Sequence, residues 1–178
     1  MSKDGEKNQD RIKRKKQVVG KMTDYINWGE IEEDWAGFSS ELEFKSSLFF
    51  NKGITIFLGD EYDEDGEEVE NPPTIGQLNI YYSAYLKFIE HLDIIVKDIK
   101  VKTFKRFSKI YENKEGVPRI SNEEEHFQYL EDINYIRISE NTIIRIPIHY
   151  SNIDKEHGLE INIDVSTLEI KLGGIAET

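Results

Sequence analysis

Cysteine is missing from all 178 positions, which excludes disulfides, thiolate nucleophiles and cysteine-ligated zinc or iron–sulfur centres. Histidine is scarce. His91, His126, His149 and His157 form no HxH or HExxH pair, so local spacing does not support metal ligation and each reads as structural or solvated. The GxSxG elbow, the P-loop and the glycine-rich dinucleotide fingerprint are absent too. A hydrolase built on two distant carboxylates leaves no trace in spacing, and among 35 acidic residues no pair stands out. No apolar run approaches the roughly 18 residues of a membrane span, and the lysine-rich beginning is not followed by the apolar stretch of a signal peptide. The expectation is a soluble, cytoplasmic, non-catalytic protein without metal or redox cofactor and without a membrane partner.

What the chain has in excess is negative charge, with a formal net value of −12. It is unevenly spread. Met1 to Lys21 holds eight lysines and arginines against three acidic residues, so the remainder is more negative than the total. Residues 1–20 have Ile12 as their one large apolar side chain before Val18 and read as a disordered basic arm. Arg11, Lys13, Arg14, Lys15 and Lys16 would suit RNA, but no aromatic residue is interleaved for stacking on bases. Residues 21–178 read as a single domain, long enough for one core.

Order is expected to begin near Tyr25, where Ile26, Trp28, Ile31, Trp35 and Phe38 supply large apolar groups. Tyr25, Trp28, Trp35 and Phe38 read as one aromatic cluster, packed in a core or exposed as an interface patch. Alternation of Leu42, Phe44, Leu48 and Phe50 predicts a strand over Glu41–Phe50, Asn51-Lys52-Gly53 a turn, and Ile54, Ile56 and Leu58 a returning strand. Thr74-Ile75-Gly76-Gln77 matches a capping box. The helix it opens is expected to bury Ile75, Leu78, Tyr82, Tyr85, Leu86, Ile89 and Leu92. Asp93–Lys114 reads as a second helix, buried through Val96, Ile99, Thr103, Phe107 and Ile110, with Lys97, Lys100, Lys105, Arg106 and Lys109 on a solvated outer face. Ser121 or Asn122 caps a short helix to Glu131.

Four alternating runs follow: Ile136 and Ile138; Ile144 to Tyr150; Leu159 to Val165; and Leu168 to Leu172. Glu140-Asn141 and Ser166-Thr167 are hairpin turns, and Pro147 implies an edge strand or a bulge. One apolar and one polar face per strand predict an α+β fold, a mainly antiparallel sheet with two or three helices packed on one face.

The strongest local signal lies between Gly59 and Pro72. Asp60, Glu61, Asp63, Glu64, Asp65, Glu67, Glu68 and Glu70 crowd eleven positions without one cation. With Gly66 in the sixth place of an EF-hand loop, the bidentate twelfth ligand would be Pro72 and the first a glutamate, so the calcium pattern fails. Such self-repulsion is relieved by a basic partner. Asp60, Glu61, Asp63, Asp65, Glu67 and Glu68 are therefore the candidate partner-binding carboxylates, with Tyr62 as an aromatic anchor.

Ile56-Phe57-Leu58-Gly59-Asp60, Pro73-Thr74-Ile75-Gly76-Gln77 and Tyr81, Tyr82 and Tyr85 resemble small acidic bacterial α+β families, some of them immunity proteins of polymorphic-toxin systems. The resemblance covers Leu42–Leu86, about a quarter of the chain. It implies inhibition by occlusion of a basic toxin, a nuclease for instance, and carries over no catalytic residue. The alternative reading is a small-ligand protein or enzyme with a pocket between sheet and helices.

Overall fold

The computed structural model describes residues 27–49, 52–111, 114–130, 133, 135–150 and 154–174. The basic arm and Tyr25 lie outside them. Three strands come first: β1 (Ile31–Asp34), β2 (Gly37–Phe44) and β3 (Ile54–Leu58). Three helices follow: α1 (Ile75–Glu90), α2 (Leu92–Tyr111) and α3 (Glu123–Phe127). The chain then returns as β4 (Tyr135–Ile138), β5 (Ile143–Tyr150), β6 (Asp154–Asp164) and β7 (Glu169–Gly174).

All seven strands form one sheet in the order β1 to β7. Strands joined by turns pair antiparallel, whereas β3 and β4 are parallel. A parallel pair needs a crossover of a dozen residues or more, and the helices, which lie between β3 and β4 in the chain, supply it. The fold is thus α+β with a mostly antiparallel sheet, and the sheet is larger than the alternation suggested. Strand β1 carries Glu32, Glu33 and Asp34 and has no strand-like pattern of its own; it forms through its pairing with β2, Ile31 opposite Ser40.

The strand expected over Glu41–Phe50 instead starts at Gly37 and ends at Phe44. Leu48 and Phe49 pack from a turn, in which Ser46 accepts from Leu48 N–H at 3.1 Å and from Phe49 N–H at 3.0 Å. The buried residue there is Phe49, out of phase with the expected alternation; Leu48 is half-buried and Phe50 lies outside the described residues. Pro147 is not on an edge strand either, for β5 lies between β4 and β6. The ladder from β4 reaches only Ile144 and Arg145, so at Pro147 the strand needs no amide on that side.

One apolar cluster joins the helices to alternate strand positions, among them Ile54, Ile56, Ile136, Ile144, Ile146, Ile161 and Ile163. The capping box is present: Gln77 Oε1 accepts from Thr74 N–H at 2.8 Å and Thr74 Oγ1 from Gln77 N–H at 3.4 Å. The buried stripe of α1 is rotated from the expected one. Leu78, Tyr81, Ala84 and Phe88 point inward, while Ile75, Leu86 and Ile89 are exposed. In α2 the expected stripe is met except that Tyr111, not Ile110, closes it. Its basic face is partly engaged: Lys100 pairs with Glu124 at 2.6 Å and lies over the Phe127 ring, and Arg106 donates to Leu172 O at 3.4 Å. Asn122 is the cap of α3, accepting from Glu125 N–H at 2.9 Å. Among the described residues no helix is long and apolar enough to cross a membrane.

His126 of α3 is fully buried, its ring 4.9 Å from that of Phe107 and 5.8 Å from that of Phe104. Burial pushes its pKa down from 6.5 to about 4. The unfolded chain therefore binds more protons between those values, so stability is complete above pH 6.5 and falls as pH drops towards 4. The full loss is roughly 3 kcal/mol. Urea unfolding of the wild type and of His126→Phe across this range should give profiles whose slopes differ by up to one proton; parallel profiles would contradict the assignment.

Candidate functional site

The side chains that alternate with the core residues meet on the opposite face of the sheet. Register places Phe57 beside Arg137 and Thr55 beside Tyr135 on β3 and β4. Arg137 is then opposite Arg145 on β5, and Pro147 opposite Glu160 on β6. Two guanidinium groups on neighbouring strands repel, and each is met by a carboxylate from the beginning of the acidic loop. Arg145 faces Asp60 at 3.3 Å and Arg137 faces Glu61 at 3.8 Å.

Arg137 is only 5 % exposed. It donates to Gly59 O at 2.9 Å and to Ala36 O at 2.6 Å, and its guanidinium lies 5.2 Å from the Phe57 ring centre and 5.9 Å from that of Tyr135. Burial draws its pKa below the ordinary arginine value, opposed by Tyr135, Glu61 and Asp60, yet an arginine stays charged through such shifts. Gly59 supplies a carbonyl to Arg137 from a backbone at φ +87°, a conformation that disfavours any side chain. Its own N–H donates to Ile138 O at 2.8 Å.

Trp35, in the turn from β1 to β2, packs edge-on against Phe57 and Tyr135, with ring centres 5.5 and 5.4 Å apart. It remains 66 % exposed. The aromatic cluster expected near the N-terminus is therefore divided. Trp28 is buried against Tyr82 and Tyr85 and donates to Leu78 O at 3.1 Å, while Trp35 stands on the other face. Burial raises the Tyr135 phenol above its usual value, with Arg137 opposing and Glu61 and Glu160 adding to the rise.

The acidic loop is a small hairpin. Tyr62 and Glu68 form an antiparallel bridge, Asp63 N–H donates to Glu67 O at 2.9 Å, and Val69 N–H to Glu61 O at 3.0 Å. The Asp63 carboxylate holds the turn by accepting from Asp65 and Glu67 N–H, each at 3.0 Å. The hairpin base is tied to the helix layer, because Glu140 N–H donates to Asp60 Oδ2 at 3.3 Å and Glu140 accepts from Gln77 Nε2 at 3.0 Å. The same carboxylates, after burial itself, push the Tyr81 pKa up to about 12.

Between hairpin and sheet lies an open cleft of about 380 Å³ lined by Asp60, Glu61, Tyr62, Asp63, Glu64, Tyr135, Arg137, Arg145, Pro147 and Glu160. The seven candidate residues thus separate. Asp60 and Glu61 are paired to arginines, Tyr62 and Asp63 line the cleft, and Asp65, Glu67 and Glu68 stand exposed at and beyond the turn. Phe57, Tyr135, Arg137, Arg145 and Glu160 were not anticipated, and Trp35 was expected only as part of the aromatic cluster near the N-terminus. An arginine flanked by isoleucines, as in Ile136-Arg137-Ile138 and Ile144-Arg145-Ile146, does signal the non-core face, but not which loop lies over it. No group of three or more His, Asp or Glu among the described residues is placed to hold a metal ion. The His149 and His157 side chains lie outside the described residues.

Arg137→Met would leave two carbonyls without their donor and Glu61 without its partner, and should cost about 2–4 kcal/mol in chemical denaturation. Trp35→Ala should cost under about 1.5 kcal/mol, the worth of exposed ring contacts. Equal losses would mean that the guanidinium is not what joins these segments.

Comparison with protein-family models, with curated proteins and with solved structures finds no match to this chain.

Proposed function

We propose that this chain is a non-catalytic binding protein that takes a basic protein partner on the hairpin and cleft, in the manner of an immunity protein occluding a toxin in the bacterial cytoplasm. The supporting observation is the division of charge in the hairpin: Asp60 and Glu61 are neutralised at its base, whereas Glu64, Asp65 and Glu67 are displayed to solvent from a turn that hydrogen bonds hold in one shape. A fixed, unneutralised acidic edge raises the association rate with a cationic partner and rejects anionic ones. Exposed Trp35 packs against Tyr135, a residue of the cleft, and supplies the kind of rigid aromatic contact that sets complex lifetime. The likeness of Leu42–Leu86 to immunity families narrows the partner to a toxin, a nuclease for example.

The alternative, a pocket between sheet and helices, is less well supported, since that layer is filled by the apolar cluster; a small-ligand reading belongs instead to the cleft.

The test is capture of partners by the tagged chain at low salt, compared with Glu64→Gln/Asp65→Asn/Glu67→Gln, which keeps Asp63 and the turn. A single basic protein should be retained, identified by mass spectrometry, and the triple variant should release it at a clearly lower salt concentration. Identical salt profiles would remove the acidic hairpin from the interface.

A further inference from the structure

We propose that the cleft is the receptor for one arginine side chain of the partner protein. This rests on the basic-partner reading and specifies the contact at its centre. Two arginines in a cleft ordinarily point to an anion. Here both are engaged. Arg137 lies over two aromatic rings and donates to two carbonyls and towards Glu61, and Arg145 faces Asp60. Five carboxylates line the same space, so three are in excess: Asp63, Glu64 and Glu160. An incoming phosphate or carboxylate would meet that excess, while a cation is drawn to it.

The walls decide which cation. Exposed Tyr62 supplies a phenol ring and Pro147 an apolar surface, while the Tyr135 ring, which also lines the cleft, is already met by Arg137, Phe57 and Trp35. A planar guanidinium stacks on such a ring and donates in a fork to carboxylates, and its aliphatic stem packs against the proline; an ammonium does the first less well and the second not at all. The cleft is open and its volume lies near the lower end of small-ligand sites, which suits one side chain entering from a protein surface.

The probe is Nα-acetyl-arginine methylamide, with the citrulline counterpart as its uncharged isostere and inorganic phosphate as the anion, each titrated into the full chain and followed by ¹H–¹⁵N NMR. The arginine derivative should give saturable shifts at Tyr62, Tyr135 and Glu160. Citrulline and phosphate should give none, and Glu160→Gln should weaken the arginine response at least about fivefold. Tyr62→Leu, on an exposed residue outside the core, should weaken it as well and guards against misfolding of the first variant. Equal response to citrulline, saturation by phosphate, or no saturable response to arginine would overturn the assignment. The probe requires no partner, so these results bear on the arginine site alone, whereas the basic-partner reading answers separately to the salt profile of the hairpin variant.

Discussion

Arg137 is a charge almost wholly removed from water, and a guanidinium in that position is tolerated only when its donors and its charge are met. Meeting them requires two segments far from β4 in the chain. Gly59, 78 residues away, supplies one carbonyl and Ala36, 101 residues away, another. Glu61 brings the nearest carboxylate. The requirement reaches into local conformation: Gly59 takes a left-handed backbone, the turn between β1 and β2 faces its carbonyl towards β4, and the acidic hairpin is anchored by its first two residues to the sheet. Phe57 and Tyr135 complete the enclosure with ring faces, against which Trp35 then rests.

The acidic hairpin consequently has two parts with different physics. At its base, Asp60 and Glu61 face cations on β4 and β5, so their charge stabilises the fold. Beyond the base, Glu64, Asp65 and Glu67 lie in water, where repulsion between them is screened over about 8–10 Å but is opposed by no cation within the hairpin. The backbone N–H groups of Asp65 and Glu67, donating to the Asp63 carboxylate, hold the turn that carries these groups in one shape. A flexible chain of the same composition would relieve its repulsion by extending; this one is held, and the held charge is what makes an acidic docking edge a reasonable use of the site.

The helices contribute at a distance. The capping box that starts α1 also positions Gln77 towards Glu140, and Glu140 towards Asp60, so the helix layer and the hairpin base are joined through the turn between β4 and β5. A substitution at this end of α1 can therefore alter the cleft without touching it.

Much of the fold was legible locally. The capping box at Thr74, both long helices, the four strands after Tyr135 and their two hairpin turns all follow from spacing and turn chemistry over a few residues. Elements that exist through a partner were not legible: β1, with Glu32, Glu33 and Asp34 in a four-residue strand, is defined by its pairing with β2. The inward face of α1 was misplaced because Ile75, Leu86 and Ile89 fit a stripe as well as Tyr81 and Phe88 do, and only the shape of the sheet beneath distinguishes them. For the site, composition alone determined that a run of eight carboxylates between Asp60 and Glu70 lacks a neighbouring cation. That Arg137 and Arg145 neutralise two of them, that Trp35 parts from Trp28, and that a cleft opens between hairpin and sheet were decided by tertiary structure, because each depends on strand register between residues about 75 to 100 positions apart.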